Sequence, residues 1–378
     1  MKIGIDARLY GTKHAGLGRY TLELVDKLQE IDQQNEYVIF LQAGNFEECR
    51  IKNINFRKVL ADFKAYSFGE QLLFPSLIRR QKLDLMHFPH FNVPFIYRGR
   101  YVVTIHDLII SHHPNSRATT LPPWLYKLKL YIYNLVVKSA AQRADKIIAV
   151  SNFTKKDVIS LLAVKEDKIK VIYEGFNLPS STEGECQKLL ERQGIGDEFL
   201  LYVGAAYPHK NLEKLIQAFE MICSRTPGLQ LVLVGKLNFF YERLKQYVLD
   251  NHSEINNLII FTGYLSDQEL SCLYQRAKLY VFPSLIEGFG LPPLEAQAYN
   301  LPVVSSDSSC LPEVLGDSAI YFKPDDFKDM AEKIMLGLCD VPLRSRLAEK
   351  GSLNIRQFSW EKMAQEILAL YYSTFTKS

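Results

Sequence analysis

Two glutamates, Glu287 and Glu295, bracket the stretch EGFGLPPLE with seven residues between them. Gly288, Gly290, Pro292 and Pro293 rule out one continuous helix, because glycine and proline are unfavourable inside helices. The preceding LYVFPS reads as a buried strand, and the two prolines suit the first turn of a helix, where a missing N–H costs nothing. Glu287 then lies in a loop past the carboxyl end of a strand, and Glu295 lies in the opening turn of the next helix. Free N–H groups at about Gly290 and Leu291 fall between them, and a helix N-terminus is a ready anion site. The order is carboxylate, phosphate cradle, carboxylate. That order matches the hydroxyls, diphosphate and ribose hydroxyls of a nucleotide sugar. Taken singly, Glu295 also reads as an acidic residue favoured by the helix dipole.

Other loops carry groups of the same kind. Lys210, in YPHKN, stands just ahead of an amphipathic segment, where its charge opposes the local dipole. That position suits a phosphate grip better than a structural cation, although a solvated lysine fits it too. His106 follows YVVTI and could donate, accept or act as a base, or be held by a nearby carbonyl. Gly16 and Gly18 precede another amphipathic segment and open either an anion site or an ordinary turn. His87, His90, His112 and His113 lie near His106 in sequence, but their spacings fit no standard metal site and no metal is expected.

These loops need a scaffold that presents them. Short apolar runs (KIGID, EYVIFL, LDLMHF, YVVTIHD, KIIAVS, KVIYEG, then FLLYVG, LQLVLVG, NLIIFTG, LYVFPS, PVVSS, SAIYF) alternate with amphipathic segments. Such alternation indicates parallel sheets covered by helices on both faces. A chain of 378 residues exceeds one usual core, and the two series predict two doubly wound α/β domains. The expected domains are 1–178 and 196–357, with a boundary segment at about 177–196 rich in Pro, Ser, Gly and charge. Ligands in open parallel sheets bind beyond the carboxyl ends of the strands, where the residues above lie.

Composition narrows the class. Hydrophobic residues make up 47% and charged residues 23%, and the net charge of +3 gives no sign of a nucleic-acid binder. Six scattered cysteines without a C-x-x-C pair read as reduced thiols. Asp6 and Arg8 sit where a signal peptide needs apolar residues, and no apolar run nears the ~20 residues of a membrane span. A cytoplasmic location is expected. The segment around Trp124–Lys138 combines tyrosines with Lys127, Lys129 and Lys138, which suits a helix on an anionic membrane surface or a packed helix with its lysines outward.

Taken together, EGFGLPPLE, YVGAAYPHKN, FTGYLSDQELSCLY, LPVVSSDSSCLPEVLGDSAIYFKPDD and the early AGLGRY resemble the retaining GT-B-type glycosyltransferases of the E-x7-E, family-4-like kind. That family includes bacterial mannosyl-, glucosyl- and N-acetylglucosaminyltransferases. The likeness is strong from about Leu200 to Asp326 and looser before it. It implies two Rossmann-like domains facing each other across a cleft, with a last helix, about 360–378, returning to the first domain. It also implies transfer of a hexose with retention from a nucleotide-diphosphate sugar, with no required metal or other cofactor. By position, Glu287 with Gly288 and Phe289 would meet the donor sugar, Lys210 and the Gly290–Leu291 amides the diphosphate, and Glu295 the ribose. Tyr264 and Leu265 would receive the base, while Gly16, Gly18 and His106 would approach from the first domain.

Many members of that family carry an arginine soon after the glycine corresponding to Gly204, where this chain has Ala205 and Ala206. His209, Lys236 or Arg19 could stand in. AGLGRY with PHKN looks like the mannosyltransferases of polysaccharide assembly, so GDP-mannose is the first expectation, with a saccharide or lipid-linked acceptor. UDP-glucose, UDP-N-acetylglucosamine and a rhamnosyl donor are the alternatives. A nicotinamide oxidoreductase should show a full G-x-G-x-x-G after a strand, and none is present. A non-catalytic nucleotide-binding protein would be expected to have lost some of Lys210, Glu287, Glu295 and His106.

Overall fold

The computed structural model describes residues 1–11, 15–64, 67–112, 119 and 122–375. The chain divides into two compact units, residues 1–175 with 358–378 and residues 176–357. The first contains β1 (Lys2–Asp6), α1 (Ala15–Ile31), β2 (Glu36–Leu41), α2 (Ala43–Phe46), β3 (Phe56–Leu60), α3 (Phe68–Arg80) and β4 (Leu85–Phe88). It continues through β5 (Tyr101–Ile105), α4 (Ile109–His112), α5 (Pro123–Arg143), β6 (Lys146–Ala149), α6 (Asn152–Leu162) and β7 (Ile169–Val171). The second holds α7 (Glu183–Gln193), β8 (Phe199–Val203), α8 (Leu212–Cys223), β9 (Gln230–Val234), α9 (Phe239–Asn251), β10 (Ile259–Gly263) and α10 (Asp267–Arg276). After β11 (Leu279–Phe282) come α11 (Leu291–Ala298), β12 (Val303–Ser306), α12 (Leu311–Leu315), β13 (Ala319–Phe322), α13 (Phe327–Cys339) and α14 (Val341–Asn354). A final helix, α15 (Trp360–Phe375), belongs to the first unit.

Both sheets are wholly parallel. The first runs β3-β2-β1-β4-β5-β6-β7 and the second β10-β9-β8-β11-β12-β13. The strands of the interior are almost fully buried, as Val/Ile/Leu runs covered on both faces must be. Right-handed crossovers put α3, α5 and α6 on one face of the first sheet, where Phe74, Ile78, Tyr133, Val136, Val137, Val158 and Leu162 pack on Val38, Phe40, Met86 and Val103. In each sheet the order reverses once, between β1 and β4 and between β8 and β11. Helices leave these strand pairs toward opposite faces, so the loops part and open a crevice.

The last helix packs on α1. Its Tyr371 is fully buried and its hydroxyl meets His87 Nδ1 at 2.6 Å, while His87 Nε2 meets Thr104 Oγ1 at 2.9 Å. Burial holds the His87 pKa down to about 3, with the charge of His106 adding to the shift, so the ring is neutral. Gly175 has no room for a side chain: a Cβ there would lie 2.1 Å from the Trp360 amide nitrogen.

The units divide at 175/176, beside the expected boundary segment, and 177–196 itself carries α7, which packs on α10 within the second unit. Two expectations change. Cys186 and Cys272 join those two helices in a disulfide, so the six cysteines are not all free thiols. Their approach depends on helix packing across 86 residues of sequence, which no local spacing reveals. A strand at 56–60 was absent from the apolar series, and it forms the sheet edge.

Candidate active site

The second unit gathers most of the chemistry at its strand reversal. Lys210 ends a short turn, residues 208–210, after β8, and Glu287 lies in the loop after β11. These are the two strands that flank the reversal. Lys210 Nζ donates to Glu287 Oε1 at 2.6 Å, and the two side chains are only 18% and 10% exposed. Two further bonds hold the loops together. The Leu285 amide donates to the His209 carbonyl at 2.8 Å. Asn211, in the left-handed region at φ +61°, donates from its side chain to the Pro283 and Pro324 carbonyls at 3.1 and 2.8 Å.

The glutamate loop is also pinned by the loop after β12. The Glu287 amide donates to Ser309 Oγ at 3.0 Å, and Cys310 Sγ donates to the Glu287 and Phe289 carbonyls at 3.3 and 3.2 Å. Gly290 then turns into α11 at φ +95°, a conformation that favours glycine. Pro292 and Pro293 follow in the first turn and have no N–H to leave unsatisfied. Among the described residues, the Gly290 and Leu291 amides make no hydrogen bond. Two donors therefore point out of a helix N-terminus three to four residues from the Lys210–Glu287 pair. Glu295, four residues into α11, is half-buried, and its Oε2 accepts from the Tyr274 hydroxyl at 3.0 Å. In the loop after β10, Tyr264 is exposed and Leu265 is buried, so Leu265 has only its backbone to offer a ligand.

Gly16, Gly18 and His106 lie in the first unit. The glycines fall inside the first turn of α1, not ahead of it as expected, with Gly16 exposed and Gly18 buried. His106 follows β5, and both of its ring nitrogens are engaged: Nδ1 with Glu174 Oε1 at 2.8 Å and Nε2 with the Pro89 carbonyl at 3.0 Å. Both partners are acceptors, so the geometry favours a proton on each nitrogen. Burial works to lower the His106 pKa, but the hydrogen bond and charge of Glu174, then the Pro89 carbonyl and Asp107, hold it raised. Both ring nitrogens of His106 are thus held by protein acceptors, Glu174 and the Pro89 carbonyl.

Of the substitutes for an arginine at Ala205, His209 stacks its ring on Tyr207, with centroids 5.7 Å apart. Lys236 is exposed directly after β9 and makes no ion pair among the described residues, and Arg19 is in the first unit. Sequence reasoning also missed Asp6, Arg8 and Glu70, a buried ion-pair network past the end of β1 whose Glu70 accepts from Asn92. The D-x-R spacing after the first strand was the available signal. His113 lies outside the described residues. Among those described, no group of three or more His, Cys, Asp or Glu could hold a metal, and no helix is long and apolar enough to cross a membrane. On α5, Trp124, Leu128, Tyr131 and Leu135 face outward at helical spacing, with Trp124 67% and Tyr131 63% exposed.

Residues 187–353 match the family described as Glycosyl transferases group 1, and residues 14–179 match Glycosyltransferase Family 4. The chain is 30% identical to an O-antigen chain mannosyltransferase B of Escherichia coli, over 94% of this chain and 95% of that one. It is 26% identical to the O-antigen chain mannosyltransferase RfbU of Salmonella typhimurium, over 86% and 87%. Among solved structures, a sucrose-phosphate synthase from Thermosynechococcus elongatus superposes with a TM-score of 0.79 at 19% identity, covering both chains completely. Anabaena HepE, in complex with UDP and glucose, superposes at 0.76 and 19%, covering 98% and 99%. With two parallel α/β units of this topology and a relative of that identity along nearly its whole length, the chain belongs to the GT-B glycosyltransferases of the family-4 type and is a glycosyltransferase.

Proposed function

We propose that this enzyme moves a hexose, mannose from GDP-mannose in the first instance, to a saccharide or lipid-linked acceptor in polysaccharide assembly, with retention at the anomeric carbon and no required metal. The observation that carries the reading is the Lys210–Glu287 pair at the strand reversal, beside the two open amides of α11. The names of the relatives supply the sugar: two are O-antigen chain mannosyltransferases.

In this reading Glu287 holds donor-sugar hydroxyls near the reacting carbon, with Gly288 and Phe289 shaping the loop. Lys210 and the Gly290 and Leu291 amides take the diphosphate, Glu295 the ribose diol, and Tyr264 and the Leu265 backbone the base. The bond from the anomeric carbon to the β-phosphate oxygen breaks and a bond to the acceptor oxygen forms. Positive charge develops on the sugar and negative charge on the leaving group, where a cation and a helix N-terminus lower the barrier. The departing phosphate oxygen takes the acceptor's proton. Gly16 and Gly18 keep the first turn of α1 bare, and Glu174 holds the His106 ring in place. The outward row of α5 rests on the inner face of the cytoplasmic membrane: aromatic and aliphatic groups enter the interface, and Lys127 and Lys138 lie beside anionic headgroups.

A second reading, a UDP-sugar donor, draws on HepE and its UDP and glucose. Thermal stabilisation by GDP, UDP and their sugars separates the two. A nucleotide at a hundredfold its Kd should add about 2.7 kcal/mol. Stabilisation by none of them would overturn both readings.

A further inference from the structure

We propose that Tyr274 is a positioning residue for the donor's ribose, holding one oxygen of the Glu295 carboxylate so that the other meets the diol; this rests on the reading of Glu295 given above. Tyr274 lies near the end of α10 and is 2% exposed. Its ring stacks on Tyr299 with centroids 5.5 Å apart and planes within 11°, and tilts against the Tyr280 ring of β11 at 5.9 Å. Between two aromatic neighbours the ring has little freedom to turn. Its hydroxyl lies 3.0 Å from Glu295 Oε2 and 3.4 Å from the Pro292 carbonyl. The hydroxyl has one proton, and the shorter contact to a charged acceptor is the stronger one, so it donates to Glu295.

The helix beneath it is firmly set. Ser266 and Glu269 form a capping box at the start of α10, and the Cys186–Cys272 bond ties its middle to α7. A hydrogen bond from so rigid a donor narrows the rotamers of a half-exposed glutamate, and order already present does not oppose ligand binding. Fixed by Tyr274, it is arranged before the ligand arrives. The two helices come from different strand connections, so Tyr274 lies 21 residues from Glu295 and outside the E-x7-E segment.

The test measures dissociation constants for GDP and 2′,3′-dideoxy-GDP, or the uridine pair if UDP is the nucleotide that binds. The proteins are wild type, Tyr274→Phe, Glu295→Gln and the double variant, with melting temperatures alongside. Tyr274→Phe keeps the stacked ring and removes one hydroxyl. GDP affinity should fall roughly three- to tenfold, as loss of one net hydrogen bond implies. Affinity for the dideoxy analogue should stay unchanged, and Tyr274→Phe should add no loss in the Glu295→Gln background. Equal weakening of both ligands would reveal a merely structural role and overturn the proposal. So would an unchanged GDP affinity in Tyr274→Phe while Glu295→Gln weakens it. If Glu295→Gln itself leaves GDP binding intact, Glu295 is not the ribose ligand and the positioning role falls with it.

Discussion

Replacing Lys210 by methionine removes the charge at similar bulk and leaves the Glu287 carboxylate, 10% exposed, without its cation. Breaking a well-buried pair by removing one partner costs about 3–5 kcal/mol, and a charged hydrogen bond about 1.5–3. The lysine end retains some solvent, so the expected loss is about 2–4 kcal/mol. Glu287→Gln should cost less, because the remaining ammonium, 18% exposed, is the end that solvent reaches. The double variant should return to within about 1 kcal/mol of wild type, since replacing both partners leaves no buried charge unmatched. Urea unfolding followed by far-ultraviolet circular dichroism reads this. Tryptophan fluorescence does not, because Trp124 and Trp360 both lie in the first unit and the pair lies in the second. Activity should separate from stability: the double variant recovers its fold and stays inactive. A Lys210→Met loss under about 0.5 kcal/mol, the range of ordinary surface changes, would refute the reasoning. A double variant no more stable than Lys210→Met would refute it equally.

Glu287→Gln should lower kcat, because it perturbs the end of the donor where charge develops, whereas Glu295→Gln should raise KM for the donor and weaken the free nucleotide; steady-state kinetics with nucleotide titration tells whether the two are reversed. The enzyme should keep full activity in excess EDTA, and activity that returns only with Mn²⁺ or Mg²⁺ would contradict the assignment of the diphosphate to Lys210 and α11. His87 is neutral in the fold with its pKa near 3 against an ordinary 6.5, so unfolding takes up a proton below about pH 6.5 and stability falls with pH. The loss from His87 at pH 5 is about 2 kcal/mol, and His87→Gln should flatten that slope in unfolding titrations. His106 works in the opposite sense: its raised pKa gives stability that is present below about pH 6.5 and lost as pH climbs through the folded value.

The parallel strands were legible because burial on both faces favours apolar runs, and β2, β5 and β9 show them plainly. The strand FRKVL was hidden by Arg57 and Lys58, which an edge strand tolerates and an interior one does not. Helix α7 was hidden because only Cys186, Leu189 and Leu190 turn inward, leaving a sequence that reads as polar linker. In the site, the helix start at Leu291 and the loop position of Glu287 followed from proline and glycine chemistry, whereas Glu295 lies one turn deeper in α11 than the opening turn expected for it. What could not be read was contact between distant segments. Lys210 meets Glu287 across 77 residues, and His106 meets Glu174 across 68. The second of these engages a ring nitrogen that the sequence alone leaves open.

The return of α15 to the first unit also sets the order in which the molecule is finished. Domains usually fold in sequence as they leave the ribosome. Here the earlier-made unit lacks a helix until all of the later unit, residues 176–357, has been synthesised. Until then the hydroxyl that meets His87 is missing, and the side chains that pack under Trp360 and Tyr371, Tyr20 among them, are uncovered. The later unit has its whole sheet within one continuous stretch of chain, so it can complete itself first. The sheet of the second unit can therefore close while the first unit still waits for its last helix.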